Sequence, residues 1–225
     1  MNTRIILASG SPRRREILES LGFDFEVMTT NAEENVNTEG MSPEQTVMEL
    51  ASEKGKTVAK MLNPDDEDNI VVIAADTVVA RNDKILGKPE NRADAKKMLK
   101  SLSGKKHSVY TGLSIWEIRP DRTSKGCTNS VKTDVYFKQL SDEMIESYLD
   151  TGEYADKAGA YGIQGKGAVL VDRIKGDYYN VVGFPVNNFY ELIAEEFGLD
   201  VFRHKLIGRG KKQGGLPNGF GYKRV

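Results

Sequence analysis

Near its start the sequence carries residues that could bind phosphate groups. The apolar run Ile5-Ile6-Leu7-Ala8 is followed by Ser9-Gly10-Ser11-Pro12 and by three consecutive arginines, Arg13 to Arg15. Ser11 fits a helix N-cap, and Pro12 fits the first helical position. A helix that begins there directs free N–H groups beyond the strand end, and the arginines add forked donors for phosphate oxygens. The pattern indicates a polyphosphate ligand, with arginines that merely face water as the alternative.

Asp76 is the candidate for acid–base or metal chemistry. It follows Ile70 to Ala75, a continuous apolar run that is typical of a strand buried on both faces. We expect this strand to end at Asp76, in the position where α/β folds bind their ligands. A carboxylate there could act as a metal ligand, as a general base, or as both. The alternative is an aspartate that only caps the next turn.

Three more charged residues are weaker candidates. Lys88 stands between a glycine and a proline, which favours a fixed positive charge at a stiffened loop end. Lys54 lies in a predicted helix and by default faces solvent. Glu34 lies in an acidic loop and could supply an oxygen ligand to a hard metal cation. The single cysteine, Cys127, is expected to be an inert thiol in a turn-rich connector.

The elements that must position these residues alternate along the chain. Helical spacing and cap signals predict helices over 13–21, 43–62, 91–102, 142–149 and 185–197. Apolar and β-branched runs predict strands over 5–7, 23–28, 70–75, 78–80, 85–86, 107–118, 130–137 and 168–174. Residues 63–69, 158–167 and 176–182 are expected to be loops, the second shaped around a ligand by its glycines. Interleaved helices and hairpins predict an α/β fold with a mixed sheet.

Composition narrows the class of protein. The chain has 225 residues, 39% of them apolar, and a formal charge of −1, which gives no overall attraction to nucleic acid or anionic membranes. No stretch approaches the roughly 18 apolar residues of a membrane span, and one cysteine excludes an intramolecular disulfide. We expect a cytoplasmic globular protein without a membrane partner, in which residues 1–200 form one domain. Residues 201–225, with seven Lys and Arg, are expected to be a flexible, glycine-rich tail, for which nucleic acid is an unlikely partner.

Five separated motifs, taken together, resemble those of Maf proteins and occur in the same order. They are Ala8-Ser9-Gly10-Ser11-Pro12-Arg13-Arg14, Ala74-Ala75-Asp76-Thr77-Val78, Gly87-Lys88-Pro89, Leu102-Ser103-Gly104 and the stretch from Lys157 to Gly165. The resemblance covers residues 3–198. It implies an elongated mixed sheet flanked by helices, in two lobes with the nucleotide in a central cleft. That architecture is similar to inosine-triphosphate pyrophosphatases.

The resemblance also implies an activity and site residues. Arg13, Thr77 and Gln164 match the specificity positions of the branch that hydrolyses dTTP and UTP to the monophosphate and pyrophosphate. Asp76 matches the proton acceptor. The implied phosphate-binding residues are Ser9, Arg13, Arg14, Lys54 and Lys88, and the implied metal ligands are Glu34 and Asp76. The implied cofactor is a divalent cation, Mg²⁺ before Mn²⁺ or Co²⁺.

A rival hypothesis is that the same cleft binds a nucleotide without hydrolysing it. A non-catalytic nucleotide-binding regulator of cell division would need cations around the phosphates, but no base at the α-phosphorus. Asp76 therefore favours the enzyme. Modified pyrimidine nucleotides as further substrates, and a homodimer, are left open by the sequence.

Overall fold

The computed structural model describes residues 2–32, 36–63 and 68–198, and its strands form one mixed sheet. The strands are β1 Asn2–Leu7, β2 Glu26–Val27, β3 Asp68–Arg81, β4 Lys84–Leu86, β5 Lys106–Ile118, β6 Ser124–Phe137 and β7 Val171–Lys175. The helices are α1 Pro12–Ser20, α2 Pro43–Met61, α3 Arg92–Leu102, α4 Asp142–Leu149, α5 Tyr178–Val182 and α6 Val186–Phe197. The predicted mixed α/β architecture is confirmed.

The strand order is β2-β1-β3-β5-β6-β7, with β4 paired to β3. β1 is parallel to β2 and β3, whereas β3 with β4, β3 with β5, β5 with β6, and β6 with β7 are antiparallel pairs. The three long strands β3, β5 and β6 form the centre of the sheet. Their antiparallel pairing is continuous from Ile70 to Ala80 on β3 and from Lys106 to Ile118 on β5.

The predicted end of β3 at Asp76 was wrong, because β3 continues to Arg81. Antiparallel pairing with β5 runs without a break through Asp76↔Gly112, so the polar residues do not interrupt the strand. On the other edge of β3, pairing with β1 ends at Leu7↔Ile73, and pairing with β4 begins only at Val79. Residues 74–78 therefore lie at a notch in the sheet, between the end of β1 and the β3–β4 hairpin.

Two groups of helices cover different ends of the sheet. α1, α5 and α6 pack on one face over a core that includes Leu7, Ile73 and Phe184, and α2 covers the opposite face. At the other end, α3 and α4 enclose a second core, which includes Leu99 and Phe137. The notch in the sheet lies between these two cores, as the expected two lobes require.

Close packing brings α2 over the centre of the sheet. Its start is fixed by a capping box, in which Ser42 and Gln45 bond to each other's backbone N–H groups. At Gly112 on β5, an added Cβ would collide with the carbonyl of Val47 on α2. The absence of a side chain at Gly112 lets the helix approach the sheet closely, which places Lys54 of α2 above the notch.

Several local predictions were wrong. The predicted loop 176–182 contains α5, which Asp177 caps at its start and Gly183, with φ of 113°, ends. Cys127 lies inside β6 opposite Ile115 rather than in a connector, because β6 begins at Ser124. The predicted strand 23–28 is only two residues long, and residues 168–170 belong to a 3₁₀ turn, Gly165–Leu170.

Some sequence features lie outside the described residues. These are Glu34, residues 64–67 of the acidic connector and the basic tail 201–225. In the described part of the chain, no helix has both the length and the apolar composition needed to cross a membrane.

Candidate active site

A cleft of about 440 Å³ opens at the notch between the two cores. Its walls come from the β1–α1 turn, α2, the middle of β3, the segment after β4 and the glycine-rich stretch. Every predicted site residue that the structure describes lines this cleft, namely Ser9, Arg13, Arg14, Lys54, Asp76, Thr77, Lys88 and Gln164. The structure thus brings together residues that are up to 155 positions apart in the chain (from Ser9 to Gln164).

Arg14 is held at the floor of the cleft by three oxygen acceptors. Its Nε donates to the Gly183 carbonyl at 2.9 Å, its Nη1 to Ser9 Oγ at 2.9 Å and its Nη2 to Thr77 Oγ1 at 3.1 Å. Three bonds from one planar fork fix both the position and the tilt of the guanidinium. Arg14 therefore presents a fixed positive charge to a ligand in the cleft.

The hydroxyl of Ser9 is oriented by its neighbours. Ser9 Oγ accepts hydrogen bonds from Arg14 Nη1 at 2.9 Å and from the Ser11 backbone N–H at 3.3 Å. A serine hydroxyl has two acceptor sites and one donor hydrogen. With both acceptor sites engaged, the O–H is the group that Ser9 can offer to a phosphate oxygen. Ser11 is the N-cap of α1, as predicted, although its own side chain makes no capping hydrogen bond.

The three consecutive arginines have three different environments. Arg14 lies on the cleft floor, Arg13 lines the cleft and reaches Asp156 with Nη1 at 3.4 Å, and Arg15 is exposed. Asp156 also pairs with Lys157 at 2.6 Å, and both residues line the cleft. Sequence reasoning did not single out Asp156 or Lys157. The signal that could have found them is their place at the start of the glycine-rich motif.

Lys54 and Asp76 form an ion pair inside the cleft. Lys54 Nζ lies 2.6 Å from Asp76 Oδ1, and the two side chains are only 13% and 17% exposed. Lys54 is therefore not the solvated helix residue that its position in the sequence suggested. The pair fixes the direction of the carboxylate. Among the described sheet residues that line the cleft, Asp76 is the only carboxylate, and the Lys54 cation lies beside it.

Backbone contacts shape the wall that carries Gln164. The Glu153 carboxylate accepts hydrogen bonds from the backbone N–H groups of Lys166 and Gly167, both at 3.2 Å. An added Cβ at Gly167 would collide with the Gly162 carbonyl. The backbone segments at Gly162 and Gly167 can therefore approach this closely only because Gly167 has no side chain. The side chain of Gln164 is exposed at the cleft surface. The glycine-rich stretch therefore lines the cleft, and its role in shaping the site around a ligand stays a prediction.

Lys88, in the segment after β4, also lines the cleft. The segment before it is tied to the glycine-rich stretch, because the Gly159 N–H donates to the Gly87 carbonyl at 3.0 Å. Gly159 has a φ of 69°, a conformation that glycine adopts readily. This bond links the β4 end to the loop and places the Lys88 cation in the cleft.

A buried histidine supports the cleft wall from behind. His107 on β5 is 2% exposed, and its Nε2 lies 2.7 Å from the hydroxyl of Tyr161, which lines the cleft. The rings of Phe137 and Tyr161 pack edge-on against the imidazole. Burial lowers the pKa of His107 to about 4. The imidazole is therefore neutral at pH 7.

Acidification is expected to destabilise the fold through His107. Its pKa rises from about 4 in the folded protein to the ordinary 6.5 on unfolding, so between these values the unfolded chain binds more protons. Stability then rises with pH in this window, by at most about 1.4 kcal/mol per pH unit. The stabilisation from the neutral His107 is fully present above pH 6.5, and the free energy of unfolding no longer changes through His107 below pH 4. Urea unfolding of the wild type and His107→Gln across this range measures it, and parallel pH–stability curves would contradict it.

The residues present fit a divalent cation that is shared with a phosphorylated ligand. In the described ranges, no three His, Cys, Asp or Glu side chains cluster as a metal site. Mg²⁺ in nucleotide sites is usually held by one or two carboxylates together with phosphate oxygens. Asp76 offers such a carboxylate in the cleft. The described residues therefore suit a cation that is held jointly by Asp76 and a phosphorylated ligand, rather than one held by protein ligands alone.

The fold and the cleft place fixed cations next to a sheet carboxylate, an arrangement that suits a phosphorylated anion. Comparison with known proteins gives the family. Residues 4–196 match the family model described as "Maf-like protein", and the chain belongs to this family.

Curated relatives agree with the family. A "dTTP/UTP pyrophosphatase" from Thermoanaerobacter sp. is 46% identical over 194 residues, which cover 86% of this chain and 97% of the relative. A "dTTP/UTP pyrophosphatase" from Caldanaerobacter subterraneus is 44% identical over 207 residues, covering 92% and 93%. Among solved structures, the Ham1 protein of Staphylococcus aureus is 14% identical, with coverage of 90% and 94% and a TM-score of 0.33.

Proposed function

We propose that this protein hydrolyses dTTP and UTP to the nucleoside monophosphate and pyrophosphate. The observation that carries the proposal is the Lys54–Asp76 ion pair at 2.6 Å, in a cleft whose other charges include Arg13, Arg14 and Lys88. Cations alone would suit any phosphorylated ligand, whereas a fixed carboxylate among them supplies a proton acceptor. The names of relatives at 44–46% identity support the same activity.

The chemistry assigns a separate task to each charged group. Arg14, Lys54 and Lys88 bind the triphosphate and offset its charge, and the Ser9 O–H donates to a phosphate oxygen. Asp76 accepts a proton from a water molecule, whose oxygen forms a bond to the α-phosphorus. The bond from that phosphorus to the bridging α–β oxygen breaks, and pyrophosphate leaves with the bonding electrons. Most of the rate enhancement comes from positioning and charge stabilisation, as is general for phosphoryl transfer.

Asp76, together with the substrate's phosphate oxygens and the sequence-predicted Glu34, would hold the divalent cation. Mg²⁺ is the first candidate, with Mn²⁺ or Co²⁺ as alternatives. When bound, the cation would supply additional positive charge to the phosphate oxygens. We further propose that the enzyme acts in the cytoplasm and that residues 1–200 form its catalytic domain, with 201–225 as an appended tail.

A panel of nucleoside triphosphates tests the proposed function. Each nucleotide is incubated with the protein and Mg²⁺, and pyrophosphate and orthophosphate are measured separately. We expect pyrophosphate from dTTP and UTP at a higher kcat/KM than from dCTP or purine triphosphates. Binding of these nucleotides without turnover would support the non-catalytic regulator instead.

Gln164 is expected to contribute to the choice of base. One amide offers both a donor and an acceptor, which match a carbonyl and the N3–H of uracil or thymine. Gln164→Ala should lower the ratio of kcat/KM for UTP over CTP by about tenfold, because a hydrogen-bonding site discriminates against analogues that leave polar groups unpaired. The exposed neighbour Lys166 offers the control Lys166→Ala, which keeps the loop. Equal UTP/CTP ratios in wild type and Gln164→Ala would remove this role.

A further inference from the structure

Behind the cleft floor, a chain of hydroxyl groups leads from Arg14 into the sheet. Arg14 Nη2 lies 3.1 Å from Thr77 Oγ1, which lies 3.0 Å from Thr111 Oγ1, which in turn lies 3.0 Å from the Asn180 carbonyl oxygen. Thr77 lies on β3, Thr111 on β5 and Asn180 on α5. Thr111 is fully buried and does not line the cleft. It therefore has no part in direct contact with a ligand.

The direction of each hydrogen bond in this chain follows from the chemistry of its end. The Asn180 carbonyl can only accept, so Thr111 must donate its single hydrogen there. Thr111 can then only accept from Thr77, and Thr77 has no hydrogen left for any other group. The Arg14 guanidinium can only donate hydrogen bonds, so it needs an acceptor. The Thr77 hydroxyl, whose hydrogen points towards Thr111, presents a lone pair to Arg14 and accepts its hydrogen bond. Thr111 thus sets the direction of the Thr77 hydroxyl.

The far end of the chain is anchored firmly. Asn180 is fully buried, and its Nδ2 donates to the Val109 carbonyl at 3.1 Å and to Thr133 Oγ1 at 3.0 Å. The Asn180 carbonyl also accepts from the Gly183 N–H at 3.0 Å, and the Gly183 carbonyl accepts from Arg14 Nε at 2.9 Å. Among the described acceptors of Arg14, Gly183 is therefore bonded to Asn180 directly, and Thr77 is connected to it through Thr111.

We infer that Thr111 is a positioning residue, which acts through Thr77 to hold the Arg14 guanidinium in the orientation that meets the triphosphate. This inference rests on the proposed function for its substrate. Valine has the shape of threonine without the hydroxyl, so Thr111→Val removes the directing bond and keeps the packing volume. The Asn180 carbonyl keeps its bond from Gly183, which limits the structural damage.

The expected kinetic signature of Thr111→Val is a rise in KM. The phosphate charge that Arg14 meets is present both before and during the reaction, so a misdirected guanidinium weakens both states and leaves kcat largely unchanged. A lost hydrogen bond of ordinary strength corresponds to a rise of about fivefold to tenfold in KM for UTP. Thr111→Ser retains the hydroxyl and should restore KM.

Thr46→Val is the matched control. It is the same substitution at a buried threonine on α2, whose hydroxyl donates to the Ser42 carbonyl at 3.0 Å. Thr46 does not line the cleft, and this bond is separate from the chain that leads from Arg14 to Asn180. We expect it to lower the melting temperature by a few degrees, roughly as Thr111→Val does, with KM unchanged.

The experiment measures kcat and KM for UTP, and Kd for α,β-methylene-UTP, in the wild type and in Thr111→Val, Thr111→Ser and Thr46→Val. A raised KM and Kd in Thr111→Val alone support the inference. A wild-type KM and Kd in Thr111→Val overturn it, as does an equal rise in Thr46→Val. If Thr111→Val does not fold, Thr111→Cys, which has a poorly bonding thiol, is judged by the same criteria. If the wild type hydrolyses no nucleotide, the proposed function fails, and the Kd values still decide the role of Thr111.

Discussion

Asp76→Asn is expected to lower kcat for UTP by about 10²–10⁴-fold, the usual loss when a general base is removed. Asparagine has the shape of aspartate, and its side-chain oxygen can still accept the hydrogen bond from Lys54, which lies 2.6 Å from Asp76 in the wild type. The fold and the binding of nucleotide should therefore persist. The amide can neither accept the proton of the attacking water nor contribute charge to a bound cation. Steady-state kinetics, with circular dichroism as the measure of folding, test this expectation.

Asp156→Asn is the matched control for Asp76→Asn. Asp156 is a second carboxylate in the cleft, but it pairs with Arg13 and Lys157 at the cleft wall rather than with Lys54. The same substitution there should lower kcat by less than about tenfold, since no proton transfer is assigned to it. Comparable decreases in kcat in the two variants would mean that removing either cleft carboxylate is enough to lower activity. Asp76 would then be a structural residue rather than the general base.

Arg14→Lys is expected to lower kcat/KM for UTP by about 10²-fold. The guanidinium donates to Ser9, Thr77 and Gly183 at once, whereas a lysine ammonium on a flexible stem cannot match that planar fork. Loss of two hydrogen bonds from a charged group, each worth about 1.5 kcal/mol, corresponds to this factor. The measurement is kcat/KM for UTP at saturating Mg²⁺.

Arg15→Lys supplies the control for Arg14→Lys in the adjacent position. Arg15 is exposed on α1 and lies outside the cleft lining, so its replacement should leave kcat/KM within about twofold of the wild type. An equal loss in the two variants would show that the arginines act by general charge. The fixed geometry of Arg14 would then have no role.

Local patterns predicted most of the helices. The Ser42–Gln45 capping box marks the start of α2, and the N-caps Asn91 and Ser141 mark α3 and α4. These signals are contained in a few neighbouring residues, so no knowledge of tertiary contacts is needed. α5 was missed because a five-residue helix is too short for a helical period to show, and its Tyr-Tyr-Asn-Val-Val sequence favours a strand.

Pairing between distant segments set the features that local patterns could not show. β3 continues through Asp76 because β5 pairs with it there, a contact between residues 36 positions apart (Asp76↔Gly112). The notch exists because β1 ends before β4 begins, which no single segment reveals. Tertiary context overrides local preference in strands more than in helices.

At the candidate site, too, local sequence patterns could not show the contacts between distant residues. Residue type and the arginine triplet indicated a phosphate site, but this local pattern did not separate Arg14 from the exposed Arg15, which differ in their tertiary contacts. Lys54 looked solvated because its partner, Asp76, is 22 residues away in the sequence. The resemblance to Maf proteins assigned site roles to eight of the described cleft residues, but none to Asp156 or Lys157, nor to Thr111 behind the cleft. Glu34 and the basic tail stay predictions, since they lie outside the described residues.

The central claim is that water attacks the α-phosphorus of UTP or dTTP in the cleft around Asp76. Hydrolysis of UTP in H₂¹⁸O, with mass spectrometry of both products, tests it most directly. The account predicts one ¹⁸O atom in UMP and none in pyrophosphate, because the water oxygen bonds to the α-phosphorus. Label in pyrophosphate would place the attack on the β-phosphorus, and release of labelled orthophosphate would place it on the γ-phosphorus. Either result would contradict the proposed reaction.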